Sequence, residues 1–151
     1  MRILRSTLDR FRDCWRIADD YVAAREAGTA SAAKRARWAL LRKTNNQAYF
    51  MLMFAAFEEY VGRRYERCRN KNRDPGRRWM TRRAWEVLPE DPPFKIKLGV
   101  LTEKAQADYS SIVDYYKIRN DVAHGNFTSL PPIFVPDVHA DLLAIANRLS
   151  N

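Results

Sequence analysis

Ten consecutive residues, Ala48 to Phe57, read Ala-Tyr-Phe-Met-Leu-Met-Phe-Ala-Ala-Phe and carry no charge. The run lies inside a longer helical pattern, from Trp38 through Leu41, Ala48, Leu52, Ala56 and Tyr60 to about Arg69, whose steps keep to one helix face. A helix apolar on every side has to be enclosed by others, so this segment is expected to be the central pillar of a bundle or one side of a dimer core. It is too short to cross a bilayer, which takes about 20 apolar residues. Only 5 glycines occur in 151 residues and no Asn-Gly hairpin signal is present. These features predict an all-α antiparallel bundle of about four to five helices, folded as a single domain over residues 1–151.

Leu4, Leu8, Phe11, Trp15, Ala18 and Val22 alternate steps of four and three and predict one long first helix. Gly28 to Ser31 is the turn after it, with Ser31 as N-cap of the second helix. Lys34, Arg35 and Arg37 open that helix against the helix dipole, as tolerated charge or as part of a basic surface. Asn70 to Gly76, containing Asp74-Pro75-Gly76, is a turn. Met80, Ala84, Val87 and Leu88 predict a short third helix bearing Trp79 and Trp85, two tryptophans among arginines that read as cover for a core edge more readily than as base-stacking platforms. After the break at Pro89 to Pro93, the residues Phe94, Ile96, Leu98 and Val100 alternate with period two, which fits a short extended segment or an irregular helix across the bundle end. Ala105 to His124 is a helix, Thr128 to Pro136 a proline-rich loop, and Asp137 the expected cap of a last helix carrying Val138, Leu142, Leu143, Ile145, Ala146 and Leu149. His139, in its first turn, reads as structural.

The chemistry-bearing stretch is Ile112 to Phe127, which holds one of the two histidines. Ile112, Val113, Tyr116, Val122 and Ala123 form the apolar register of an amphipathic helix whose polar register carries Arg119, Asn120 and His124. Gly125 follows as a left-handed cap and places His124 in the last turn, beside unpaired carbonyls and the negative end of the dipole. Asn120 and His124 share a face at i and i+4, and Arg119 borders it. A histidine next to an arginine and an amide is suited to proton transfer and to stabilising an anion. One helix makes only an open site, so a working pocket needs a second wall, from another helix or from a second copy of this chain.

Arg119-Asn120 followed by His124 and Gly125, after Tyr115-Tyr116-Lys117-Ile118, resembles the Arg-x(4-6)-His motif of HEPN-domain proteins. The earlier helix Phe50 to Val61 is similar to the other core helix of such a domain, and the resemblance extends over residues 35 to 150. It implies metal-independent endoribonuclease activity, leaving a 2′,3′-cyclic phosphate, commonly as the toxin of a toxin-antitoxin or phage-defence system, with no cofactor and with two protomers forming a composite site. On that reading His124 is the general base or acid, Arg119 the clamp on the phosphate and Asn120 an orienting donor. DNA, without the 2′-hydroxyl, would not be cut this way. In part of the family a tyrosine two residues after the histidine is modified by an antitoxin; here that position is Asn126, which leaves a protein antitoxin covering the site, or no antitoxin, equally open. Glu58 and Glu59 directly follow the apolar run, either to orient Arg119 or another arginine or as a surface pair.

Between Arg63 and Arg83, ten arginines and lysines face two acids, Glu66 and Asp74, in a chain of net charge +9. Like charge at that density is relieved by an anionic partner, and arginine suits phosphate, so Arg63, Arg64, Arg67, Arg77, Arg78, Arg82 and Arg83 are expected to bind RNA. Two other readings stand beside the enzyme: a catalytically inactive HEPN-like RNA- or nucleotide-binding or assembly module, and a DNA-binding regulator, for which no short turn-separated helix pair lies near the basic cluster. Cys14 and Cys68 form neither a zinc pattern nor a disulfide framework and read as half-buried small residues. Phosphate-binding glycine loops, Gly-x-Ser-x-Gly elbows and His-Glu-x-x-His pairs are absent. The N-terminal stretch is neither a secretory signal nor a span, so a cytoplasmic protein is expected.

Overall fold

The computed structural model describes residues 1–103, 106–127 and 130–150, which form helices with no strand among them. In order these are α1 (Arg2–Ala27), α2 (Ala32–Asn72), α3 (Trp79–Glu86), α4 (Phe94–Leu101), α5 (Ala107–Ala123) and α6 (Val135–Ser150). The expected four or five become six because Phe94–Leu101 is a helix and not an extended segment. Pro93 is its N-cap residue, and the Pro93 carbonyl accepts from the amides of Ile96 and Lys97 at 2.9 and 3.2 Å. The period-two pattern there decides nothing, because Leu98 is buried while Ile96 stays 46% exposed.

α1 and α2 form an antiparallel hairpin. Trp15 Nε1 donates to Asn46 Oδ1 at 2.7 Å, and Arg42 donates twice to Asp19 at 2.7 and 2.8 Å. The Trp15 face of α1 thereby turns inward, as its seam predicts, and Ser31 is the N-cap residue of α2, extended in backbone but without a side-chain hydrogen bond. Asp19 and Arg42 mark where the core ends. Beyond them, residues 20–27 and 32–41 contain no buried side chain, and the edge-on rings of Tyr21 and Trp38, 6.5 Å apart, are what this arm packs between its helices.

α6 runs parallel to α2: Asn46 Nδ2, Tyr60 OH and Arg64 Nε donate in turn to the carbonyls of Ile133, Ala146 and Leu149, at 3.1, 3.0 and 2.9 Å. Its first turn begins at Val135, so Asp137 lies inside the helix instead of capping it. His139 is structural, buried with Nε2 2.8 Å from Asp9 Oδ1, and ties α6 to α1. α5 is antiparallel to α6, joined by Tyr115 OH to Asp141 at 2.6 Å and by two Arg148 donors to Asp108 at 2.6 and 2.8 Å. Of the expected α5 span, Ala105 lies outside the described residues, as do Thr128 and Ser129 of the loop.

The core gathers on one side of α2. Phe50, Met53, Phe54, Phe57 and Val61 are fully buried against α1, α4, α5 and α6. Phe54 meets Phe94 edge-on at 5.7 Å, and Phe94 stacks on Tyr116 at 5.1 Å, which fixes α4 and α5 against the pillar. The expectation that Ala48 to Phe57 is enclosed all round fails: Ala48 and Ala55 are exposed, and Leu41 and Leu52 are 43% and 46% exposed. The expected seam through Leu41, Ala48 and Leu52 is therefore the outer stripe of α2, because all four packed helices lie on the Phe50–Phe54–Phe57 side. Trp85 covers a core edge over Tyr65, with ring centroids 6.3 Å apart, whereas Trp79 is 69% exposed. Cys14 is exposed and Cys68 half-buried, both as free thiols. No described helix is long and apolar enough to cross a membrane.

Candidate active site

α5 ends as its sequence predicts. Gly125 has φ +75°, its amide donates to the Val122 carbonyl at 3.2 Å, and the Asn126 amide reaches back to the Asp121 carbonyl at 2.9 Å. This pair of bonds is a Schellman cap, which requires a left-handed residue that only glycine adopts without strain. His124 occupies the C-cap position just past the last helical residue, with its amide on the Asn120 carbonyl at 2.9 Å. Its side chain is exposed, and the imidazole makes no hydrogen bond among the described residues.

Arg119 is held from two sides. Its Nε lies 3.4 Å from Glu58 Oε2 on α2, and its NH1 donates to Asn120 Oδ1 at 3.1 Å. One donor on Nε and one on NH1 thus orient the group, and its side chain is still 35% exposed. Of the two glutamates, Glu58 performs the orienting role; Glu59 pairs on the surface with Arg63. Burial pushes the Glu58 carboxyl above its ordinary value, and the Arg119 charge and hydrogen bond pull against that. Between the ordinary carboxylate range and the raised value, the folded protein keeps a proton that the unfolded chain has released. Glu58's contribution to stability therefore falls as pH rises through that window. Glu58→Gln removes this slope. Thermal unfolding of both proteins from about pH 4 to pH 7 is expected to show the variant's melting temperature rising relative to the wild type as pH increases.

The basic cluster does not act as one surface. Arg63, Arg64 and Arg67 on α2 border a cavity of about 310 Å³ together with Arg2 on the first turn of α1. Arg77, Arg78, Arg82 and Arg83 lie around α3 instead, where Arg82 and Arg83 both meet Glu86, at 3.4 and 3.7 Å, and Arg77 Nε donates to the Lys71 carbonyl at 3.4 Å. Arg69 turns to Glu90 at 3.1 Å. Arg2 was not legible as a member of either group, because only the α1–α2 pairing brings it there. Among the described residues, no three His, Cys, Asp or Glu side chains are grouped to hold a metal.

Comparison with protein-family models, curated proteins and solved structures finds no match. The reading of this site therefore rests on its own residues: an arginine steered by a half-buried carboxylate, an amide beside it, and an unencumbered imidazole one helical turn further on. Such a set can fix a phosphate, stabilise charge growing on it, and exchange a proton with solvent or substrate.

Proposed function

We propose that this protein is a HEPN-like endoribonuclease that cleaves RNA through the 2′-hydroxyl of its own substrate. The observation that carries the reading is the Glu58–Arg119–Asn120 arrangement on the same helix end as the free imidazole of His124. Arg119 binds the scissile phosphate through the donors that Glu58 and Asn120 leave open. His124 accepts the 2′-hydroxyl proton, the 2′-oxygen bonds to phosphorus, and the 5′-oxygen leaves and takes a proton from a second acid. The products are a 2′,3′-cyclic phosphate and a 5′-hydroxyl. A toxin or defence role, with a protein antitoxin or none, belongs to the same proposal.

The second acid and the second wall are supplied, on this reading, by another copy of the chain. The outer stripe of α2 supports it: Leu41, Ala48, Leu52 and Ala55 are apolar and uncovered, and the same helix carries Glu58. Exposed apolar stripes of this kind mark association surfaces. Leu52→Arg is expected to shift sedimentation velocity to the monomer and to lower cleavage together with it, without changing the helical signal in circular dichroism.

The test of the function is direct. Wild-type protein and His124→Ala are incubated with RNA in excess chelator and the fragment ends identified. Cyclic phosphate ends from the wild type alone support the proposal. If neither protein cuts, and both bind RNA with the same salt dependence, the protein is a binding module that uses the arginines of α2 and α3.

A further inference from the structure

A second cavity, of about 550 Å³, opens between α1, α2 and the segment leading into α6. That size lies within the range of small-ligand sites, about 300–1,000 Å³. Its floor is the Trp15 indole, fixed because its N–H is already given to Asn46, and its outer wall is Phe134, set edge-on to Trp15 at 6.4 Å. The telling residue is Gln47. It lines this cavity and is only 7% exposed, yet its side-chain amide has no hydrogen-bond partner among the described residues. Among the described residues, the side-chain atoms that are sealed off and unpartnered are Asn45 Nδ2 and Arg69 Nε; the Gln47 amide is not one of them, so it is open to the cavity that it lines.

The charges of the cavity cancel. Asp19 and Arg42 neutralise one another in a two-bond pair, and Glu26 offsets Lys43. A neutral ligand fits this better than a free anion, for which the arginine-lined cavity is the better host. A carboxamide presents a donor and an acceptor side by side, the pattern that a nucleobase edge answers with two hydrogen bonds, and the exposed ring of Phe134 on the cavity wall offers a face for a stacked base. Position adds to chemistry. Lys43, on the cavity wall, donates to the Phe127 carbonyl at 3.4 Å, and Phe127 follows His124 by three residues. That is a chain reach of at most about 11 Å.

We infer that this cavity is a nucleobase pocket in which Gln47 reads the base edge. Its use in choosing where RNA is cut rests on the ribonuclease reading; its binding of a base does not. The test takes the full chain, titrates it calorimetrically with the four nucleosides, which carry no phosphate for the arginine-lined cavity to bind, and maps cuts on one RNA of mixed sequence. The wild type is expected to prefer one or two of the four, and Gln47→Leu to weaken that binding by about tenfold or more, the worth of a two-bond amide–base pair. Phe134→Ala, on a rim that is 57% exposed, weakens binding without touching the core. In the RNA map, Gln47→Leu is expected to spread the cuts over bases that the wild type avoids. Equal binding by wild type and Gln47→Leu with an unchanged cutting pattern overturns the pocket and leaves the ribonuclease reading standing. No nucleoside binding by the wild type also overturns it. A wild type that cuts nothing but binds nucleoside through Gln47 sinks the ribonuclease reading and keeps the pocket.

Discussion

His124→Ala is expected to lower RNA cleavage by about 10²–10⁴-fold, the range that a positioned proton-transfer group contributes, while leaving the fold untouched. The second half of that statement gives the first its force. His124 is exposed, is the C-cap residue of α5 and uses no side-chain hydrogen bond among the described residues. Surface substitutions of this kind change stability by about 0.5 kcal/mol or less. Lost activity at unchanged melting temperature therefore reports chemistry. Unchanged activity would assign the histidine to solvent and the cap to Gly125 alone. Arg119 needs a different variant, because Arg119→Ala strands the half-buried Glu58 carboxylate. Arg119→Lys keeps the charge and forfeits the planar fork that reaches Glu58, Asn120 and a phosphate together. It is expected to fall short of wild-type cleavage while still folding.

Phe54→Ala is expected to be the most damaging single truncation of the fold, at about 3–5 kcal/mol. For a chain of this size that lowers the melting temperature by roughly 6–20 °C. Phe54 is fully buried, and its ring meets Phe50 at 5.9 Å, Phe57 at 6.1 Å, Phe94 at 5.7 Å and Tyr116 at 6.4 Å. Those neighbours come from α2, α4 and α5, so the cavity left behind would loosen the seating of the helix that carries Arg119. Leu52, two residues earlier, is 46% exposed, and Leu52→Ala is the control: a variant of the same apolar run whose melting temperature stays near the wild type's in the monomer. Thermal unfolding of the two side by side separates the inner and outer faces of one helix.

That contrast also locates what could be read without coordinates. The register of α1 was legible because charged and hydroxyl residues fill most positions between Leu4, Leu8 and Trp15, and the apolar exceptions Ile3 and Ile17 fall off the seam. In α2 the run from Ala48 to Phe57 is apolar on both faces, so periodicity has nothing to choose between, and the stripe through Leu41 and Leu52 mimics a core seam. Aromatic bulk was the better guide: Phe50, Phe54 and Phe57 lie inside, and Ala48 and Ala55 outside. The cap of α5 was legible at Gly125, whose left-handed φ suits glycine, although the helix stops at Ala123, one residue short of the expected His124. Glu58 was legible only as one of two, because which glutamate meets Arg119 depends on the direction in which α5 crosses α2. Asp19, Arg42 and Gln47 could not be assigned at all. A polar side chain inside a fold is explained by its partner, and partners 23 residues apart or across a cavity are chosen by packing. The one local hint was Asp19 itself, four residues after Trp15 on the inward face of α1.

The hairpin arm beyond Asp19 and Arg42 makes the molecule uneven in a way that its helical content conceals. α2 is a single helix of 41 residues, about 60 Å from end to end, yet only its later part is embedded in a core. The arm buries no side chain fully and packs the half-buried Trp38 edge-on against Tyr21, so its amides lean on helix formation more than on a core, and helices with little tertiary support are marginal in water. Opening is therefore expected to run inward from the Gly28 turn and to halt at the buried Asp19 carboxylate, since going further would strand that charge and uncover Trp15. The ion pair works as a clasp between a part of the rod that breathes and a part that does not.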